Sequence, residues 1–175
     1  MNYFQLFGLT DNFTVDLGRL SELYQALQKT VHPDRFAHAS SQEQMIAVQK
    51  SAMINDAYQT LKKPLQRADY ILKLRGTPMP SEQASFSDNQ FLIRQMELRE
   101  MLSDVKSSDD VNSEIDKINQ TLDDEFLILF NSMKSLLDQN TSDADELAYK
   151  DLRKLKFYQK LHIELERLEE QLFAD

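Results

Sequence analysis

Apolar residues recur at steps of three and four through most of this chain, the spacing that lines one face of an α-helix. Leu20, Leu23, Tyr24, Leu27 and Val31 form such a stripe after a short apolar segment from Tyr3 to Leu9. Asp16 is placed to cap that helix at its N-terminus. Pro33 must end it, because proline lacks an N–H and pushes His32 out of the α region. A second stripe, Val48, Ala52, Ile54, Ala57, Tyr58 and Leu61, follows the polar Ser40-Ser41 stretch and stops at Pro64, after which Leu65 to Leu74 makes a further short segment. The pattern predicts two antiparallel helices with a loop displayed at one end.

Gly76-Thr77-Pro78-Met79-Pro80-Ser81 breaks the periodicity with a glycine suited to a helix C-cap and two prolines that cannot continue a helix. The expected organisation is a domain over residues 1–75, a linker over 76–83 and a second domain over 84–175. Beyond the break, helices are predicted near residues 86 to 105, 110 to 138 and 143 to 173. The middle one carries Val111, Ile115, Ile118, Leu122, Phe126, Leu129, Met133 and Leu136, a row that suits a bundle seam. Leu147, Tyr158, Leu161, Leu165, Leu168 and Leu172 form the expected core row of the last helix. Together these predict an all-α protein, a helical hairpin with short flanking helices followed by a three-helix bundle.

Composition agrees: 3 glycines and 4 prolines in 175 residues favour long helices, and 41% hydrophobic content is enough for a buried core. The absence of cysteine excludes disulfides, thiolate nucleophiles and sulfur-ligated metal sites. No apolar run approaches a membrane span, and Met1-Asn2-Tyr3-Phe4 does not open a signal peptide, so the expectation is a soluble cytoplasmic protein without membrane partners. A net charge of -9 argues against nucleic-acid binding. The charge is unevenly divided, with 9 Lys or Arg against 7 Asp or Glu in residues 1–75 and 11 against 22 in residues 76–175, which suggests two different partners.

The chemistry-bearing residues are few. His32-Pro33-Asp34 stands at the bend between the two hairpin helices, where polar side chains are displayed for recognition. A metal reading of His32, Asp34 and His38, which would make the chain a small helical metal-dependent hydrolase, has no supporting histidine pair nearby, and His162 lies on a remote helix. No Gly-rich phosphate loop, Ser/His/Asp order or HExxH pattern is present, and no cofactor is expected.

The order Tyr3-Phe4-x-Leu6-Phe7-x-Leu9, Leu20-x3-Tyr24-x2-Leu27, His32-Pro33-Asp34, then Ile54-Asn55-x-Ala57-Tyr58-x2-Leu61-x2-Pro64-x2-Arg67-Ala68-x-Tyr70 resembles a J-domain over its whole length. That resemblance implies a non-enzymatic co-chaperone whose loop stimulates the ATPase of a DnaK-type chaperone, with Lys29 and Arg35 flanking His32, Pro33 and Asp34. Arg35-Phe36 after the loop, the lack of a Gly/Phe-rich region, and the segments Phe91-Leu92-Ile93-x2-Met96-Glu97-Leu98-Arg99-Glu100 and Leu152-Arg153-Lys154-Leu155-Lys156-Phe157 narrow the likeness to the HscB family. This implies an HscA-type chaperone as partner and the iron-sulfur scaffold IscU as client. A J-domain serving a different client is the nearest rival. The helix before the loop departs from the basic norm of the family, since Asp16 and Glu22 offset Arg19 and Lys29. The cysteine tetrad that the eukaryotic relatives carry in an N-terminal extension is absent here, which points to a bacterial form.

Helix geometry supports a second surface. With Phe91 at zero on a wheel advancing about 100° per residue, Leu98, Leu102 and Val105 cluster within about 40° of it, while Leu92, Met96 and Ile93 fall at about 100°, 140° and 200°. An apolar patch rimmed by Glu97, Arg99 and Glu100 suits a protein partner. Arg153 and Phe157, one turn apart on the last helix, are placed to extend it. The resemblance assigns the apolar and acidic positions Leu92, Ile93, Met96, Glu97 and Glu100 to scaffold binding, and their placement adds Arg153 and Phe157 to that expected site. Asp123, Asp124 and Glu125 are expected to be solvated surface.

Overall fold

The computed structural model describes residues 1–81 and 88–174. These form seven α-helices and two short 3-10 turns, with no strand among the described residues. The chain divides into two compact units, Met1–Gly76 and Thr77–Asp175. Gly76 adopts a left-handed φ of 72°, the C-cap conformation that its lack of a Cβ permits. The segment 82–87 lies outside the described residues, and with it the expected end of the linker and the expected helix start at residue 86.

In the first unit, α1 (Tyr3–Leu6) is held by a reciprocal capping box between Asn2 and Gln5. Its Phe4 is fully buried, and Tyr3 stacks on Tyr70 at 4.6 Å while its N–H donates to the Tyr70 hydroxyl at 2.8 Å. Helix α2 (Leu17–Thr30) begins at the expected cap, Asp16 accepting from the Arg19 N–H at 3.0 Å. Helix α3 (Ser41–Lys62) is capped by Ser40, and α4 (Pro64–Leu74) starts at the proline that ends α3. Tyr24 stacks on Tyr58, and Gln28 bonds to Ser51 in both directions, so α2 and α3 run antiparallel.

The buried row of α3 is Ala47, Ile54, Ala57 and Leu61; Val48 and Ala52, expected inside, are exposed. Two turns before Ile54 the small Ala47 faces α2, which turns Val48 outward by about 100°. Arg67 is only 6% exposed. Its Nε donates to the Phe13 carbonyl at 2.6 Å, its Nη1 to the Leu61 carbonyl at 2.7 Å, and its guanidinium lies over the Phe13 ring. Burial lowers its pKa below the ordinary arginine value.

The second unit contains α5 (Asn89–Asp104), α6 (Val111–Gln139) and α7 (Ser142–Phe173). A 3-10 turn, Val105–Ser107, leads from α5 toward α6. Asn140 in the left-handed region (φ 51°) and Thr141, which caps α7, make the tight turn between the two long helices. Leu98, Val105, Ile115, Ile118, Leu122, Tyr158, Leu161, Leu165 and Leu168 form one core, with Phe91, Leu102, Phe126 and Leu129 packed on its edge. Each fully buried leucine here contributes roughly 2 kcal/mol.

Three expected core positions differ. Leu137 is buried where Leu136 was expected, and Leu147 and Leu172 are exposed. The first half of α7 buries Ala144, Ala148, Tyr149, Leu152 and Leu155 instead. Its row opens on two alanines, which a search for leucine spacing passes over, before Tyr149, Leu152 and Leu155 continue it.

Candidate partner-binding surfaces

The bend after α2 is built to display three side chains. Val31, the C-cap of α2, is buried, and Phe36 four residues after His32 is half-buried, its carbonyl accepting from Ala39 N–H and from the Gln44 side chain at 2.9 Å. Between these anchors His32 takes φ -60° and ψ 136°, the extended geometry that a following proline imposes. Pro33 opens the 3-10 turn Pro33–Phe36, where its missing N–H costs nothing, and the Arg35 N–H closes it on the His32 carbonyl at 3.0 Å.

The His32 and Asp34 side chains are 59% and 93% exposed. His32 Nδ1 accepts from the Asp34 N–H at 3.2 Å, which requires Nδ1 to be unprotonated and leaves Nε2–H as an outward donor. Asp34 Oδ2 lies 3.5 Å from the same Nδ1. The turn thus offers a ring donor and a carboxylate acceptor at fixed spacing. Lys29 in the last turn of α2 and Arg35 are exposed beside it, and Arg19 is engaged by Glu22 at 3.5 Å. No group of three or more His, Asp or Glu among the described residues is placed to hold a metal ion, so His32, Asp34 and His38 do not converge.

The second surface lies on α5. Asp88 caps this helix, accepting from Phe91 N–H at 3.1 Å and pairing with Lys154 at 2.9 Å. Both contacts, the lysine first, hold its carboxyl below the usual range. One side of α5 enters the core through Leu98; the opposite side leaves Ile93 57% and Met96 72% exposed, with Glu97 and Glu100 also at the surface. Leu92 is half-buried, as its wheel position on the border requires.

Phe157 and Arg153 are less free than the expected patch supposes. Phe157 is half-buried, edge-on to Phe91 at 5.6 Å, and covered by the Arg99 guanidinium, which also reaches Glu164 at 3.0 Å. Arg153 donates to the Ser81 carbonyl at 3.1 Å. Phe157 therefore stands on the α7 flank that meets α5, and Arg153 lies one turn before it on the same helix.

Glu125 overturns its expected place. It is half-buried, accepting from Arg94 Nε at 2.7 Å and from the Tyr158 hydroxyl at 3.1 Å, while Arg94 Nη1 donates to Glu97 at 2.8 Å. Spacing along α6 puts Glu125 about 60° from the core row, a border position from which a long side chain reaches a neighbour. Of its two expected companions, Asp123 lies 3.4 Å from His162. Among the described residues no helix is long and apolar enough to cross a membrane.

Comparison with known proteins gives one consistent result. Residues 87–166 match the family described as the HSCB C-terminal oligomerisation domain. A co-chaperone protein HscB homolog of Colwellia psychrerythraea is 59% identical over 175 residues, covering 100% of both chains. One from Shewanella halifaxensis is 45% identical, covering 99% of both. Among solved structures, the chaperone HscB from Vibrio cholerae superposes with a TM-score of 0.88 at 42% identity, covering 99% of this chain and 100% of that one. The human co-chaperone protein HscB superposes with a TM-score of 0.85 at 30% identity, covering 97% of this chain and 82% of that one.

Proposed function

Because this chain belongs to the HscB family of co-chaperones, we propose that it joins an HscA-type, DnaK-class chaperone ATPase to an IscU-type iron-sulfur scaffold in the bacterial cytoplasm and aids cluster assembly and transfer. One observation carries the reading. The chain presents an exposed His-Pro-Asp turn on one compact unit and an exposed, acid-rimmed apolar helix face on another.

His32, Pro33 and Asp34 engage the chaperone, with Lys29 and Arg35 as flanking contacts. Pro33 sets the bend, Asp34 accepts, and the His32 Nε2–H donates. The Ile93 and Met96 side chains, bordered by Leu92, Glu97 and Glu100 and edged by Arg153 and Phe157, engage the scaffold. Desolvating the two exposed apolar side chains supplies affinity, and the acidic rim supplies orientation. No residue of this chain performs covalent chemistry: ATP is hydrolysed on the partner, and the cluster is cargo on the scaffold. Holding both partners turns their encounter into a local one at raised effective concentration.

The test is steady-state ATP turnover by an HscA-type chaperone with and without IscU. The chain raises turnover, and more so with the scaffold present. His32→Gln keeps its helical circular dichroism yet loses stimulation; normal stimulation by that folded variant would remove the loop from the mechanism. Replacing Leu92, Ile93 and Met96 with Ala weakens scaffold binding and leaves scaffold-independent stimulation intact. Unchanged scaffold affinity in that variant would assign the client to another surface.

A further inference from the structure

Four side chains from three helices form one continuous chain that ends on the exposed face of α5. The buried Tyr158 hydroxyl of α7 donates to Glu125 Oε2 of α6 at 3.1 Å; Arg94 Nε of α5 donates to Glu125 Oε1 at 2.7 Å; Arg94 Nη1 donates to Glu97 Oε2 at 2.8 Å. Burial and the neighbouring Glu125 carboxylate push the Tyr158 hydroxyl well above its ordinary pKa, so it stays a proton donor. The Arg94 guanidinium is likewise raised, by its bond to Glu97 first and to Glu125 second.

Among the described residues the exposed pairs Arg19 with Glu22 and Lys117 with Glu114 are joined only to each other, and such pairs hold their side chains weakly. Arg94 differs, because it is anchored from behind. The arginine is shared by two carboxylates, so the trio keeps one net negative charge. Glu97 Oε1 has no intramolecular partner among the described residues. A carboxylate held in one orientation with an open oxygen is preorganised, and it loses little side-chain freedom when a partner's donor arrives.

We propose that Arg94, Glu125 and Tyr158 are positioning residues for client binding, fixing the Glu97 carboxylate to receive a basic side chain of the scaffold. This rests on the assignment of the α5 face to the client. Glu125 acts on that face from another helix and through Arg94, without standing on the face itself.

The experiment is a double-mutant cycle in affinity for the IscU-type scaffold, measured by isothermal titration calorimetry on the full chain. Glu125→Gln weakens binding about fivefold in the native background and by less than about 1.5-fold when Glu97→Gln is already present, because the anchor then has nothing to position. Arg94→Lys, which keeps the charge but cannot span two carboxylates, repeats the first loss. Tyr158→Phe repeats it more weakly, and its effect also vanishes with Glu97→Gln. Thermal unfolding of each variant shows that the fold is retained.

An equal loss in both backgrounds would mean a general structural role and overturn the proposal. A gain in affinity on Glu125→Gln would also overturn it, since Arg94 would then be withholding Glu97. Ile93→Ala and Met96→Ala, measured alongside, separate the two ideas. If they and Glu97→Gln leave affinity unchanged, the face itself is wrong and the positioning falls with it; if they weaken binding while Glu125→Gln has no effect, only the positioning fails.

Discussion

Replacing Arg67 tests whether a buried cation bonded to backbone carbonyls holds the first unit together. Arg67 in α4 reaches the Leu61 carbonyl near the end of α3 and the Phe13 carbonyl in the segment before α2, at 2.7 and 2.6 Å. Leu61 belongs to the last turn of α3, where carbonyls lack helical partners and a positive charge is favoured. Arg67→Met keeps most of the side-chain volume but removes both donors. Each carbonyl left unpaired costs about 1–3 kcal/mol. Relief of the guanidinium's desolvation, which its lowered pKa reflects, offsets part of that. The net loss is about 2–3 kcal/mol, and Arg67→Ala, which also opens a cavity beneath Phe13, loses about 4 kcal/mol. For a unit of this size the Met variant lowers Tm by roughly 10–20 °C. Thermal unfolding of the full chain by far-UV circular dichroism measures the shift, and hydrogen exchange of the α2 and α3 amides assigns it to Met1–Gly76. A Met variant within about 0.5 kcal/mol of the native chain would refute the reasoning, since desolvation would then cancel both bonds.

Asn140 occupies the left-handed region at φ 51° between α6 and α7, so Asn140→Val destabilises by about 1–2 kcal/mol while Asn140→Gly changes stability by less than about 0.5 kcal/mol, both read from urea midpoints. Asp88 has a depressed folded pKa from Lys154 and the Phe91 N–H, so its contribution is present above the ordinary carboxylate range and is lost as pH falls through the lowered folded value. Asp88→Asn removes that contribution at neutral pH and flattens the acid limb of Tm against pH; an unchanged acid limb would show the pairing to be without energetic consequence.

Much of the architecture was legible because proline and caps punctuate the chain physically. Pro33 and Pro64 end α2 and α3 by removing donors, and Asp16 and Ser40 start them by supplying acceptors, so these boundaries follow from local chemistry. Core membership was legible where large side chains carry it, as at Ile115, Ile118 and Leu122. It failed where small ones do. Ala47, Ala144 and Ala148 are buried because helices approach closely there, and alanine appears in buried and exposed rows alike. Val48 and Leu147, each one residue away, looked more apolar and drew the expected row outward.

The two surfaces were legible to different degrees for a related reason. The His32–Asp34 bend is set by the six consecutive residues Val31 to Phe36, so its exposure and its extended His32 follow from Pro33 and two apolar anchors alone. Ile93 and Met96 required only the wheel of one helix, and both are exposed as it indicates. Glu125 required three helices. Its burial depends on Arg94 and Tyr158, which lie 31 residues before it and 33 after it. Spacing within α6 gives the angle at which Glu125 leaves its own helix but not what meets it there. A charged residue read by period alone is assigned to solvent by default, and that default fails at the border of a bundle face. There, a charge-assisted bond from an arginine within reach offsets the cost of half-burying a carboxylate.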